Sequence, residues 1–125
     1  MADDLEDEEM QLHAFHITDM LVKTPGVPSR WEVSPQNVTV LGLASDDRVL
    51  SAEKIDAMAN LSYETTKDLF DIHPYDYSLK VKTFGGVTLK ELGLNYTSQD
   101  TKRVNLYRYV IFNGQRALFE FTVWK

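Results

Sequence analysis

A predicted β-hairpin around Asn113-Gly114, near the end of the chain, is the sequence feature that most constrains the fold. Asn-Gly is the preferred pair for a two-residue type I′ turn, and strand-like runs rich in aromatic and β-branched residues flank it. A two-residue turn also fixes the register, so Phe112 is expected to face Gln115 and the pairing continues outward from there. Any fold of this chain must therefore be built around two long antiparallel strands.

This register sorts the hairpin side chains into two faces. The face expected in the core carries Val104, Leu106, Val110, Ala117, Phe119, Phe121 and Val123, and the mixed face carries Asn105, Tyr107, Tyr109, Glu120, Thr122 and Trp124. We expect Tyr107, Tyr109 and Trp124 to be half exposed or covered by another element, and they form the candidate interaction surface. Arg108 falls on the apolar side opposite Phe119, so it should lie near the sheet edge or stack on an aromatic ring.

Hydrophobic periodicity and N-cap residues predict three helices upstream of the hairpin. The first covers residues 3–23, and its apolar stripe consists of Met10, Ala14, Ile17 and Leu21, widened by Leu12, Phe15 and Met20. Its acidic first turns complement the helix dipole, and the segment before Met10 is expected to stand in solvent. Ser51 and Ser62 are the predicted N-caps of two short helices over residues 52–60 and 63–70.

Strands are also predicted over residues 38–43, 75–82 and 87–89, and a polar loop is predicted over residues 93–100. The fold class is therefore α+β, with a long N-terminal amphipathic helix, two short helices and a mainly antiparallel β-sheet of about five strands that ends in the C-terminal hairpin. The 125 residues suit a single domain, 1–125, which comprises the helix with its acidic start (1–24), a Pro-rich linker (25–36) and an α+β head (37–125).

The charge distribution argues against a nucleic-acid partner. Six of the 19 acidic residues lie between Asp3 and Glu9, and the other 13 balance the 13 lysines and arginines, so the body is close to neutral. A nucleic-acid-binding protein usually has a basic face, and no basic run is present. Cysteine is absent, which excludes disulfides and thiolate sites, and no apolar run is long enough to span a membrane.

No pattern in the sequence completes a catalytic, cofactor-binding or metal-binding site. His13 and His16, with Glu9 one turn earlier, share a helix face, but no second motif supplies the remaining metal ligands. Three aspartates, Asp68, Asp71 and Asp76, lack the glycine and closing glutamate of a calcium loop. No phosphate loop or nucleophile elbow exists. We therefore predict a protein that is not an enzyme, with no catalytic residues, cofactor, metal or small-molecule substrate.

Three tripeptides match the acceptor pattern for N-glycosylation. They begin at Asn37, Asn60 and Asn95, in a chain that has five asparagines, so chance would give fewer than one. Each asparagine also has a local structural reading, at a strand start, a helix end and a turn respectively. A glycan on any of them would place the protein outside the cell.

The segment from Asp19 to Glu32, with sequence DMLVKTPGVPSRWE, carries the most specific pattern in the chain. It resembles archaeal pilin-like proteins made with a class III signal peptide. The likeness continues at residues 40–44, at 49–55 and at 61–64, and it covers most of the chain outside the generic C-terminal hairpin. The leader, hydrophobic anchor and cleavage site of that family are absent from this chain.

This resemblance implies a non-enzymatic subunit of an archaeal type IV pilus-like structure, located at the cell surface or outside the cell. Other pilin-like subunits would contact the N-terminal helix, and the membrane would be reached only through the anchor that this chain lacks. Two alternatives stay open. One is a cytoplasmic interaction module whose acidic helix binds a basic partner, with Met1 as the true start. The other is an extracellular adhesive or ligand-binding domain that uses its aromatic face.

Overall fold

The computed structural model describes residues 2–95 and 102–125, with side chains described from Asp7 onward. Its helices are α1 (Ala2–Lys23), α2 (Ala52–Asn60) and α3 (Tyr63–Phe70). Its strands are β1 (Gly26–Val27), β2 (Val40–Leu41), β3 (Ala44–Asp46), β4 (Val49–Leu50), β5 (Asp76–Thr83), β6 (Thr88–Gly93), β7 (Arg103–Phe112) and β8 (Gln115–Trp124). Two 3₁₀ turns, Trp31–Val33 and Pro35–Asn37, lie between β1 and β2.

Within the described residues, the main sheet has six strands in the order β3-β4-β7-β8-β5-β6, and β1 and β2 form a separate pair. Every neighbouring pair is antiparallel except β4 and β7, so the predicted α+β class with a mainly antiparallel sheet is confirmed. The strand predicted over residues 38–43 is wrong in extent, because only Val40 and Leu41 pair there. Most of the predicted loop over 93–100 lies outside the described residues.

The hairpin has the predicted register. Phe112 pairs with Gln115, and the ladder continues without a shift to Arg103 opposite Trp124. The apolar face is core: Phe119 and Phe121 are fully buried, and Val104 and Leu106 are partly buried against the same cluster. The two-residue turn therefore determines which hairpin side chains reach the core.

Both short helices have the predicted bounds and caps. The Ser51 hydroxyl accepts a hydrogen bond from the backbone N–H of Lys54, and the Ser62 hydroxyl accepts one from that of Thr65. These bonds satisfy N–H groups that a helix start leaves without partners. The sequence-based N-cap assignments are thus confirmed.

Helix α1 packs against β7 and β8, with Met10, Ala14, Ile17 and Leu21 buried as predicted. The predicted widening of this stripe is wrong, because Leu12, Phe15 and Met20 are 59%, 44% and 40% exposed. At about 100° per residue, Leu12 lies opposite the buried stripe, whereas Phe15 and Met20 lie at its two margins. The helix therefore carries apolar residues on both its buried and its exposed sides.

The start of α1 is tied to the sheet rather than standing free. The Asp7 carboxylate lies 3.0 Å from the Lys102 ammonium, next to the first residue of β7. The expectation that everything before Met10 stands in solvent is therefore wrong at Asp7, whereas Glu8 and Glu9 are exposed. No helix among the described residues is both long and apolar enough to cross a bilayer.

A buried lysine holds the segment after α1 in place. The Lys54 ammonium, on α2, donates hydrogen bonds to the carbonyl oxygens of Pro25 and Ser29 at 3.1 and 2.6 Å and to the Glu32 carboxylate at 2.6 Å. It also lies 5.7 Å from the ring centroid of Trp31. Since its side chain is 5% exposed, these partners replace the water that the charge loses on burial.

Trp31 completes this arrangement, which we call the Lys54–Trp31 clasp. Its ring is fully buried, and its Nε1–H donates a hydrogen bond to the Gly42 carbonyl at 2.9 Å. Gly42 approaches the backbone of Gly26 so closely that a side chain would collide with it. Residues 25–36, read from the sequence as a Pro-rich linker, are thus packed against α2 and the strand at Val40.

Replacing Lys54 with methionine should lower the free energy of unfolding by about 2–4 kcal/mol, because the Glu32 carboxylate and the carbonyls of Pro25 and Ser29 lose their charged hydrogen-bond donor. The matched control is Lys90→Met, which removes an exposed ion pair with Asp56 and should cost less than about 1 kcal/mol. Urea unfolding of both variants measures the difference. Equal losses would show that the clasp does not stabilise the fold.

A second polar network joins α3 to β5. The Tyr63 hydroxyl donates to the Asp76 carboxylate at 2.8 Å and accepts from the backbone N–H of Tyr77 at 3.0 Å. The Tyr77 and Thr66 hydroxyls lie 2.6 Å apart. Burial, followed by the Asp76 hydrogen bond and charge, raises the pKa of Tyr63 well above its ordinary range, and burial also raises the pKa of Tyr77.

These shifts predict loss of stability in alkali. The unfolded tyrosines ionise near their ordinary pKa of 10.0, whereas the folded ones keep their protons, so the stabilisation is complete below that pH and is lost as the pH rises towards the folded values. Urea unfolding between pH 8 and 11 should show a falling free energy, with Tyr63→Phe less affected. A free energy that stays flat through pH 11 would contradict the network.

Candidate interaction surfaces

The described helices pack on one face of the main sheet. Phe70 of α3 contacts Tyr77 and Phe121 edge-on, with ring centroids 5.2 and 5.7 Å apart, and α1 covers the same side of β7 and β8. None of the three helices covers the opposite face, which carries Tyr107 and Tyr109. We call this opposite surface the helix-free face.

Two of the three predicted aromatic contact residues are exposed on the helix-free face. Tyr109 is 74% exposed and Tyr107 is 50% exposed. Burial and then the Glu120 carboxylate raise the pKa of Tyr107, and Glu120 also pairs with Lys82 at 3.1 Å. Tyr107 is therefore part of a polar cluster on this face, whereas Tyr109 projects further into solvent.

The third predicted residue, Trp124, is covered rather than half exposed, which the expectation allowed, and its part in an interaction surface stays a prediction. Trp124 belongs to the same alternating set as the tyrosines, but it is only 5% exposed, and its neighbour in that set, Thr122, is 6% exposed. Strand periodicity tells which side of a sheet a residue lies on. Periodicity does not tell whether other residues cover a given part of that side. At the end of the sheet that contains Trp124, the side chains are covered.

Tyr109 also belongs to a patch of aromatic rings and arginines at the hairpin-turn end of the sheet. We define the arginine–aromatic patch by Arg48, Phe84, Tyr109, Ile111 and Arg116, which line an open cavity of about 510 Å³ together with Asp47 and Val110. Phe84 is 59% exposed, and its ring meets that of Tyr109 edge-on at 5.7 Å. Among the described residues, neither arginine forms an ion pair, so both guanidinium groups face solvent.

The backbone of Arg48 is fixed although its side chain is exposed. Its N–H donates to the Val22 carbonyl at 2.8 Å, and its own carbonyl accepts from the Ile111 N–H at 2.8 Å. Its φ of 60° lies in the left-handed region, which a non-glycine residue adopts only when its surroundings enforce it. The guanidinium is therefore presented from a rigid position between α1 and β7.

A groove separates α1 from the open edge of β7. Strand β4 pairs with only Ile111 and Phe112, so, among the described strands, most of β7 has a neighbour on one side only. Exposed Leu12 and Phe15 line this groove, whose volume is about 600 Å³. Unpaired strand edges are sites where another chain can add.

Arg108 limits access to that edge. Its guanidinium stacks 4.9 Å from the Phe15 ring centroid, lies 3.5 Å from the Asp19 carboxylate and donates to the Tyr107 carbonyl at 2.9 Å. The prediction that Arg108 stacks on an aromatic ring is thus confirmed. The Arg108 guanidinium therefore already donates a hydrogen bond to a backbone carbonyl of β7 to which an added strand would have to hydrogen-bond.

The histidines and aspartates considered as ligands are engaged in separate local contacts. Within residues 7–95 and 102–125, no group of three or more histidine, aspartate or glutamate side chains is arranged to hold a metal ion. His13 hydrogen-bonds the Phe70 carbonyl at 2.8 Å, and His73 lies 2.7 Å from Asp68. Asp71 takes the left-handed cap position of α3, while Asp76 binds Tyr63.

The three candidate glycosylation sites are all exposed. Asn37 ends the second 3₁₀ turn, Asn60 is the last residue of α2, and Asn95 follows β6. Residues 96 and 97 of the third acceptor tripeptide lie outside the described residues. Exposure satisfies one requirement for modification and leaves these sites as predictions.

Comparison with models of known families, with curated protein sequences and with solved structures finds no match to this chain. The resemblance to pilin-like proteins therefore remains a prediction based on the residues quoted above.

Alanine substitutions of Tyr109 and Trp124 should have different effects on the free energy of unfolding, because one side chain is exposed and the other is buried. Tyr109→Ala should change the free energy of unfolding by less than about 0.5 kcal/mol, because its ring is mostly exposed. Trp124→Ala should cost about 3–5 kcal/mol, because it empties a buried site. Thermal and urea unfolding measure both values. A Tyr109→Ala loss as large as that of Trp124→Ala would contradict the helix-free face as an available surface.

Proposed function

We propose that this chain is the head region of a non-enzymatic, pilin-like subunit of an archaeal type IV pilus-like structure, located at the cell surface. The observation that carries the proposal is the coincidence of the resembling segment with the Lys54–Trp31 clasp. Residues 19–32 run from the last turn of α1 through Pro25 and Ser29 to Trp31 and Glu32, which are the groups that Lys54 and Gly42 bind.

This coincidence gives the segment a mechanical role that suits a filament subunit. The Leu21 and Val22 side chains are fully buried, so the end of α1 cannot move independently of the head. The clasp then fixes the chain that leaves the helix. A force applied to α1 would therefore be transmitted directly to the sheet. A subunit that is held through its N-terminal helix requires such a rigid connection.

The exposed side of α1 offers contacts for neighbouring subunits. Leu12 and Phe15 are apolar and face the groove beside β7 rather than the core. Apolar side chains grouped on one surface favour contact with another protein. In this proposal, other pilin-like subunits pack along α1, and the membrane is reached through an anchor encoded before the segment described here.

An extracellular adhesive or ligand-binding domain is the second candidate. The exposed Tyr109 and Phe84 rings favour it, because aromatic groups on an uncovered sheet face can stack on a ligand. A glycan or surface ligand should bind saturably, and Tyr109→Ala should weaken that binding without unfolding the protein. The two candidates share a location outside the cell.

The native protein from its source cells tests the proposal. The intact mass should exceed the mass of these 125 residues. N-terminal sequencing should find a chain that begins with a hydrophobic stretch of about 20 residues. Added mass in hexose-sized steps would assign glycans to Asn37, Asn60 or Asn95. A native chain that starts at Met1 without added mass would contradict the proposal and favour a cytoplasmic module whose acidic helix binds a basic partner.

A further inference from the structure

Side chains of both charges lie around the cavity at the arginine–aromatic patch. Arg48 and Arg116 are cationic, whereas Asp47 lines the same cavity and exposed Asp46 lies beside it. Within the part of the chain that the structure describes, no ion pair involves any of these four side chains. Two positive and two negative charges balance, so the charge of this region favours neither an anionic nor a cationic ligand.

Two exposed aromatic rings form one corner of the cavity. Tyr109 and Phe84 are 74% and 59% exposed, and their ring planes meet at 63° with the centroids 5.7 Å apart. Large exposed rings that lie together indicate a binding surface. Because the face of an aromatic ring carries partial negative charge, it attracts C–H groups that carry a slight positive charge. This corner therefore suits a ligand that has an apolar face of C–H groups.

Backbone hydrogen bonds fix the segments that present these side chains. Phe84 lies in the turn between β5 and β6, where the Thr83 N–H donates to the Val87 carbonyl at 2.8 Å and the Val87 N–H donates to the Thr83 hydroxyl at 3.0 Å. Arg116 lies in the paired ladder of β7 and β8, and the backbone of Arg48 is held between α1 and β7. A ligand therefore meets a backbone that needs little further ordering, which favours binding.

We propose that the arginine–aromatic patch binds the terminal rings of a neutral glycan. A sugar ring combines the two properties that suit this cavity, because it has a face of C–H groups and a rim of uncharged hydroxyl groups. The C–H face stacks on Tyr109, beside Phe84. The hydroxyl groups accept hydrogen bonds from the two arginine side chains and donate hydrogen bonds to the Asp47 carboxylate.

The size and position of the cavity agree with this ligand. Its volume of about 510 Å³ falls within the range of about 300–1,000 Å³ that is typical of small-molecule sites. The cavity is open to solvent, so the rest of a longer glycan can continue away from the protein. The helices pack on the other face of the sheet, so other subunits can contact α1 while a glycan is bound.

The inference rests on the second candidate function, an extracellular adhesive domain, and it names the ligand class and the residues of the binding site. It is tested on the isolated chain, whereas the subunit proposal is tested on the native protein from its source cells. Failure to bind a glycan would therefore count against the adhesive site alone, and the native mass would still decide whether the chain is an anchored subunit.

Amide NMR spectra of the isotopically labelled chain test the inference. The probes are neutral disaccharides built from glucose, galactose, mannose and N-acetylglucosamine. At least one of them should saturably shift the amide signals near residues 47–48, 84, 109–111 and 116, with a Kd between about 0.1 and 10 mM. Disaccharides that contain glucuronic acid or glucosamine should bind no more tightly than their neutral counterparts, because the charges around the cavity balance.

Variants then assign the binding to the cavity. Tyr109→Ala should raise the Kd at least about tenfold, whereas Tyr109→Phe keeps the ring and should stay within about threefold of the wild type. Arg116→Gln should raise the Kd about threefold or more, because it removes guanidinium donors. The matched control is Arg30→Gln, which replaces an exposed arginine outside the cavity and should leave the Kd unchanged. The spectrum of each variant establishes that it is folded.

Absence of saturable shifts with every neutral disaccharide would overturn the inference, as would shifts confined to another surface of the chain. An unchanged Kd in Tyr109→Ala, or an equal rise in Tyr109→Phe, would rule out stacking on the ring and would also overturn it. Equal weakening by Arg116→Gln and Arg30→Gln would assign the effect to net charge. A charged disaccharide that binds at least about tenfold more tightly than its neutral counterpart would contradict a neutral ligand.

Discussion

The register of the β7–β8 hairpin is the constraint on which the rest of the structure depends. Because a two-residue turn joins the strands, one alternating set of side chains must face the helices and the other must face away. The first set includes Phe119 and Phe121, against which α1 and α3 bury their apolar sides. The second set includes Tyr109, which remains exposed. A shift by one residue would exchange the two faces, so the turn determines both the core and the available surface.

The Lys54–Trp31 clasp is the second determinant, because it converts a Pro-rich segment into a fixed connection between α1 and α2. A buried ammonium contributes to a fold only when every donor has a partner, and here two carbonyls and the Glu32 carboxylate provide them. Such a network specifies one path for the chain where apolar packing alone would accept several. The segment that resembles pilin-like proteins is therefore also the segment that fixes the N-terminal helix to the head.

Local signals in the sequence predicted the local structure. The helix caps at Ser51 and Ser62 and the hairpin register depend on residues close in sequence or paired by the turn, and all are confirmed. The same register places Arg108 on the apolar face, and the predicted stacking is confirmed, although its partner Phe15 lies far away in the sequence. The short strands β1, β3 and β4 were missed because two or three residues show no alternation. Burial of Trp124 depends on which elements pack together, and the clasp and the arginine–aromatic patch join residues far apart in sequence, so no local pattern could reveal them. Exposure of Leu12, by contrast, follows from the helical spacing of the buried stripe.

The chain forms a small head that holds the end of its N-terminal helix rigidly in place. We propose that this head is a building unit displayed on the cell surface. Immunogold electron microscopy of intact source cells, with antibodies raised against residues 37–125, tests this claim most directly. The account predicts gold particles on the cell exterior, aligned along filaments or distributed over the envelope. Label confined to the cytoplasm of sectioned cells would contradict it.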